Sequence, residues 1–200
     1  MSNPLPIPNT RKPAHAIDPM FTARWSPRAF VDAPMSEETL LTLLEAARWA
    51  PSAQNIQPWR FAYALRGDAL WQPLVESLNP KNQLWAPHAS ALVAVASNTM
   101  TTPAGSTDLA PNATHAFDTG TAWGYLALQA SLSGWSVHAM GGFNPQAAAQ
   151  AVHLPPHHVL HCIVAIGQRG DPASLPDGLR ERETPNGRKP LHEISVRGTF

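Results

Sequence analysis

Two stretches of this chain combine residue types that could do chemistry. The first is Arg24-Trp25-Ser26-Pro27-Arg28. Two guanidiniums four residues apart, with a hydroxyl between them, can converge on one phosphate, because arginine offers forked, charge-assisted donors. On spacing alone, a solvated pair of arginines is the favoured reading of the segment. The second is Pro51-Ser52-Ala53-Gln54-Asn55-Ile56-Gln57-Pro58-Trp59. Its amides and hydroxyl supply donors and acceptors together, which suits the edge of a heterocyclic ring. Self-bonding within the loop is the competing reading, since Ser and Asn readily satisfy their own backbone.

Other groupings are weaker. Asn82-Gln83 precedes Trp85, and Gly141-Gly142 follows a strand-like run. Paired glycines let a backbone approach a ligand closely, but they also make ordinary turns. His153, His157, His158 and His161 flank Pro155-Pro156 with no Cys or acid ligand in the segment, so exposed loop histidines are expected rather than a metal site. Asp118 and His115 could pair on one helix face, although a cap or local hydrogen bond is the expected role of Asp118. No dinucleotide-binding, phosphate-loop or nucleophile-elbow motif is present.

The elements that would position these residues follow from pattern. Pro4, Pro6, Pro8, Pro13 and Pro19 make residues 1–20 an extended arm. Ser36 caps a helix in which Leu40, Leu43, Leu44 and Ala47 recur at helical spacing, and Pro51 stops it. Trp59, Phe61, Tyr63 and Leu65 alternate as a strand. Residues 69–78 read as a helix weakened by Pro73. Ala91 to Ala96 and Val159 to Ile166 read as buried strands, and Trp135 to Met140 as a further strand. Residues 99–112 read as a loop. Residues 114–133 are the longest helical candidate, apolar on most sides and therefore central, ending at Gly134. Asn144-Pro145 opens a short helix. The pattern predicts an α+β layered fold, with residues 21–200 as a single domain.

Composition narrows the function classes. Only 14% of residues are charged, and the chain carries 7 Trp and 21 Pro. Low charge with many tryptophans predicts surface covered by a second copy or a ligand. A formal net charge of +0 argues against nucleic acid as a partner. No stretch approaches the roughly 20 apolar residues of a membrane span, and the start lacks a signal-peptide pattern. The single cysteine, Cys162, lies in an apolar run and reads as a small buried hydrophobe. A cytoplasmic protein without a membrane partner is expected.

Taken in order, the motifs resemble those of the nitroreductase family of FMN-dependent oxidoreductases. The matching pieces are Arg24-x-Ser26-x-Arg28-x-Phe30, the helix Glu37 to Ala50, and Pro51-Ser52-x-x-Asn55-x-Gln57-Pro58-Trp59. They continue with Asn82-Gln83-x-Trp85-Ala86, Asp118 with its long helix, Met140-x-Gly142-Phe143-Asn144, and Arg188-Lys189-Pro190-Leu191. The resemblance covers about residues 21 to 194.

The resemblance implies a central mixed or antiparallel sheet flanked by helices, in an intertwined homodimer with FMN at the subunit interface. It implies that Arg24, Ser26 and Arg28 hold the phosphate and ribityl chain, joined by Arg188 or Lys189, with Trp25 contributing its backbone. Asn82 would meet the pyrimidine edge. Pro51, Ser52 and Asn55 would reach the flavin from the other subunit, and Gly141 and Gly142 would lie near N5. The implied activity is ping-pong reduction of nitroaromatics, quinones or similar planar acceptors by NADH or NADPH, with hydride carried by flavin N5 and no catalytic side chain. Reduction of an enal, enone or aldehyde, or FMN storage without turnover, are the alternatives. Trp85 stands where many relatives carry a cation, and Gly141 where one branch carries Glu.

Overall fold

The computed structural model describes residues 9–199; Pro4, Pro6 and Pro8 of the expected arm lie outside them. Four strands form the main sheet: β1 (Trp59–Leu65), β2 (Ala91–Asn98), β5 (Ser136–Met140) and β6 (His158–Gly167). Their order is β1-β2-β6-β5, and every pairing is antiparallel. A two-stranded ribbon of β3 (Met100–Thr101) and β4 (Ala110–Pro111) interrupts the expected loop 99–112.

Both faces of the sheet are covered, so β2 from Ala91 to Ala96 and β6 from Cys162 to Ile166 are continuous apolar runs rather than alternating. Leu92, Ala94, Ile163 and Ala165 pack beneath α3 (Trp71–Ser77) and α6 (Pro145–Ala151). Ala91, Val93, Val95, Val164 and Ile166 pack beneath α2 (Glu37–Arg48) and α5 (His115–Leu132). β1 follows the same rule. Trp59, Phe61, Tyr63 and Leu65 face the second layer, while Ala62 and Ala64 face the first.

Local signals explain the helix ends. Ser36 Oγ accepts from Thr39 N at 3.1 Å, and α2 closes at Trp49, short of Pro51. Pro73 sits in the first turn of α3, where no intrahelical amide bond is due, so it does not break the helix. Gly134 follows the last turn of α5 with φ +78°, a left-handed conformation that glycine adopts without steric cost.

Two differences from the sequence reading stand out. Residues 19 and 20 are not extended: α1 (Pro19–Ala23) begins there, because Asp18 caps it and proline is tolerated at the first helical position. A four-residue helix, α4 (Pro80–Gln83), is set by Asn79, whose side chain accepts from Asn82 N. The last helix is α7 (Asp177–Arg180).

α5 is only half buried within one chain. Ala122, Leu126, Ala127 and Ala130 are buried, but Phe117 is 79% exposed, and Tyr125 and Leu132 are exposed too. Leu41 and Trp49 of the neighbouring α2 are likewise exposed. Among the described residues, no helix is long and apolar enough to cross a membrane.

Candidate functional site

The Arg24–Phe30 segment is irregular backbone held from four sides. Arg11 Nη1 donates to Arg24 O at 2.7 Å and to Thr22 O at 3.1 Å. His138 Nδ1 lies 3.0 Å from Pro27 O, which requires the proton on that nitrogen. Glu183 accepts from the backbone N–H of Arg28 at 2.5 Å and of Ala29 at 2.8 Å. Gly170 N donates to Ala29 O at 2.8 Å. A segment so tied can present side chains in a fixed geometry. Arg24 Nη1 is 3.5 Å from Ser26 Oγ, so the two neighbours face one region.

Charge at this segment is unevenly compensated. Arg28 Nη1 lies 3.5 Å from Glu183 Oε2, an ion pair whose carboxylate is almost fully enclosed. Arg24 has a different environment: burial, and then the charge of Arg188, hold it below the usual arginine range. Arg11 is lowered by burial, then by Arg188 and Arg24. His138 is depressed to about 4, chiefly by burial and further by Arg28 and Arg24, although its bond to Pro27 opposes the shift. Its ring packs against Trp85 at 4.7 Å between centroids, tilted by 44°, and Trp85 also meets Phe30 at 6.1 Å. Trp85 and Trp25 are buried.

Arg24 and Ser26 are the polar side chains lining a cleft of about 450 Å³. Trp123, Gly124, Ala127 and Leu128 of α5 and Ala139 of β5 complete its lining. Small and apolar side chains beside a cation make a shelf for a flat, amphipathic anion. Arg188 and Lys189 lie on a second cavity of about 780 Å³, between the chain's opening segment and its tail.

The Pro51–Gln57 loop bonds to itself. Ser52 Oγ accepts from Gln57 N at 3.0 Å, and Gln57 Nε2 donates to Asn55 O and Oδ1, each at 3.0 Å. Gln54, Asn55 and Gln57 have φ of 51°, 57° and 52°. Three non-glycine residues in the left-handed region within four positions is a concentration of strain of the kind found at ligand sites. Asp118 anchors the loop: its carboxylate accepts from Ala53 N at 3.3 Å and from Thr114 Oγ1 at 2.9 Å. This is the local hydrogen-bonding role expected for Asp118. His115 is instead bound to Ser97 Oγ at 2.7 Å.

Asn82 and the glycine pair meet directly. Gly142 O accepts from Asn82 Nδ2 at 3.0 Å and from Asn79 N at 3.0 Å. A Cβ on Gly142 would fall 2.1 Å from Asn79 Nδ2, whereas one on Gly141 would meet nothing within 4 Å. Gly142 is thus required for packing, and Gly141 is the open member. The histidine group also differs from expectation. His161 is the extra residue at an irregularity in the β2–β6 register, turned inward onto Ser97 Oγ at 2.7 Å rather than exposed in a loop. Among the described residues no three His, Cys, Asp or Glu are grouped to hold a metal.

Glu183, His138 and Arg11 were not singled out from the sequence. His138 left a trace, as a polar residue within an apolar strand. Glu183 sits among Glu181, Arg180 and Arg182, and nothing in the charge pattern distinguishes it.

The nitroreductase family model matches residues 21–168. A crystal structure of an oxidoreductase containing FMN is 44% identical, covers 100% of this chain and 98% of its own, and superposes with a TM-score of 0.93. A nitroreductase family protein from Clostridium difficile 630 shares the fold at 21% identity, with a TM-score of 0.69 over 93% of this chain and 100% of its own. The nitrobenzene nitroreductase of Ectopseudomonas oleovorans is 43% identical over 53 residues, which are 26% of this chain and 23% of that enzyme. The matches span 23% to 39% of the length of the curated relatives. By its family match and its full-length likeness to a solved structure, the chain belongs to the nitroreductase family.

Proposed function

We propose that the protein is an FMN-dependent oxidoreductase that uses NADH or NADPH to reduce nitroaromatics, quinones or similar planar acceptors. The observation that carries this reading is the cleft that Arg24 and Ser26 line together with Trp123, Gly124, Ala127 and Leu128. A phosphate belongs at the cationic end and a planar ring on the apolar floor, so the residues present fit FMN. Bound FMN would supply the redox chemistry, accepting a hydride from the nicotinamide in one half-reaction and passing electrons to the acceptor in the next.

The chain's residues bind, orient and shield. Arg24, Ser26 and Arg28, with the backbone of Trp25, would hold the phosphate and ribityl chain, and Arg188 and Lys189 would add charge. Asn82 already spends one N–H of its Nδ2 on Gly142 O, which leaves the second N–H and the carbonyl oxygen to meet a ring edge. Gly141, open on its side-chain face, lets a flavin edge or an acceptor come close to backbone. Pro51, Ser52 and Asn55 would be contributed by a second copy. The loop that carries them sits beside Asp118, whereas the shelf begins at Trp123 of the same helix. These positions are displaced along α5 by about 8 Å or more at 1.5 Å per residue.

A homodimer would cover the exposed Phe117, Tyr125 and Leu132 of α5 together with Leu41 and Trp49 of α2. A contiguous apolar face of this kind marks an association surface. Purified protein should be yellow or take up FMN stoichiometrically, and light scattering should give a dimer. A colourless protein that cannot be reconstituted with FMN would remove the proposal. A monomer with FMN bound would remove the shared site.

A further inference from the structure

We propose that Arg11, in the segment preceding the family-matched region, is a ligand of the cofactor phosphate, so that the arm closes the site as a strap. The inference rests on the FMN reading above and adds a residue to it. The position comes first. Arg11 is bonded through Nη1 to Thr22 O and Arg24 O, and Asn9 Nδ2 donates to Thr22 O at 3.0 Å. Asn9 and Arg11 are therefore laid against the chain just before the Arg24–Arg28 segment. Arg11 shares the 780 Å³ cavity with Arg188 and Lys189.

Charge supplies the second argument. Arg28 has Glu183 as a carboxylate partner, and Arg48, Arg66 and Arg180 are paired with Glu45, Asp32 and Asp177. Arg11 bonds to the backbone of Arg24 and shares a cavity with Arg188 instead, and burial first, then the charge of Arg188 (with that of Arg24 for Arg11), lowers the proton affinity of Arg11 and Arg24. Arg11 and Arg24 are partly buried and Arg188 is exposed, and like charges held near partly buried ones are unfavourable until an anion enters. A phosphate monoester, carrying a charge of about −1.5 to −2, is suited to three guanidiniums. Arg11 Nε is buried without a hydrogen-bond partner, so part of its fork is unspent after Nη1 has pinned the arm. A purely structural pin would need the two carbonyl bonds and no convergence with Arg24 and Arg188.

The test compares FMN with riboflavin, which has the same ring and no phosphate. Apoprotein of the wild type, Arg11→Ala and Arg11→Gln is titrated with each flavin and followed by fluorescence quenching. Loss of one charge-assisted phosphate contact weakens FMN binding about 10- to 100-fold in both variants, while riboflavin affinity stays within about twofold. Arg11→Gln keeps an N–H donor for the carbonyls and so separates charge from pinning. Equal weakening of both flavins, or unchanged FMN affinity, would overturn the proposal. Inorganic phosphate is the third probe, read as thermal stabilisation. If the wild type takes up neither flavin yet is stabilised by phosphate in an Arg11-dependent way, the anion site stands and the FMN reading fails. With neither flavin uptake nor phosphate stabilisation, both fail.

Discussion

Replacing Glu183 should damage the cofactor segment more than any exposed acid would. Its carboxylate is 2% exposed and accepts from two consecutive backbone amides, Arg28 N at 2.5 Å and Ala29 N at 2.8 Å. Glu183→Ala removes both acceptors and the partner of Arg28, leaving at least one fully buried N–H unsatisfied. Each orphaned group costs about 1–3 kcal/mol, and breaking a buried pair from one side costs roughly 3–5 kcal/mol in all. For a chain of this size, 1 kcal/mol moves Tm by about 2–4 °C, so the expected loss is roughly 6–20 °C. Glu183→Gln keeps Oε1 as an acceptor and loses only the charge, for about 1–2 kcal/mol. Thermal unfolding of the two variants beside the wild type measures this. An alanine variant within about 2 °C of wild type, or a glutamine variant as unstable as the alanine one, would refute the clamp.

Three further outcomes follow from the same geometry. His138 is neutral in the fold down to about pH 4, whereas in the unfolded chain it binds a proton near its ordinary value of 6.5. Its contribution is therefore complete above about pH 6.5 and is lost progressively as pH falls to about 4, approaching roughly 3 kcal/mol. Burial, then His115, lower His161 in the same direction. His138→Asn should flatten the acid limb of Tm against pH, and an unchanged limb would contradict the assignment. Gly142→Ala should cost about 1–2 kcal/mol, because its Cβ would displace the Asn79 side chain that caps α4, while Gly141→Ala should lie within about 0.5 kcal/mol of wild type in urea unfolding. Burial pushes the Cys162 thiol up to about 11, so a thiol reagent at pH 8 should leave it almost unmodified until the protein is unfolded.

The frame of this fold was legible because its main elements carry redundant signals. α2 has a serine cap, a helical leucine stripe and a proline stop, and the runs in β2 and β6 are too apolar for anything but covered strands. What was not legible arises from contacts between distant segments. Glu183 and Arg28 are 155 residues apart, and no local pattern marks the glutamate as buried. α4 depends on one asparagine side chain, too short a signal to separate from a turn. The outward face of α5 reads as core because Phe117, Tyr125 and Leu132 are as apolar as interior residues, although they are exposed in the chain. The 51–57 loop was read as ligand edge or self-bonding. Within one chain it is self-bonded, and its strained backbone is what no residue pattern announces. The arm boundary at residue 20 followed proline content, which reports backbone restriction and says nothing about where Arg11 docks.

Anaerobic mixing with NADH and then NADPH tests the central claim most directly. The FMN-loaded protein should lose its oxidised-flavin absorbance with at least one nicotinamide and recover it on addition of a nitroaromatic or a quinone. Flavin that stays oxidised with both nicotinamides, yet bleaches with a chemical reductant, would contradict a nicotinamide-dependent oxidoreductase.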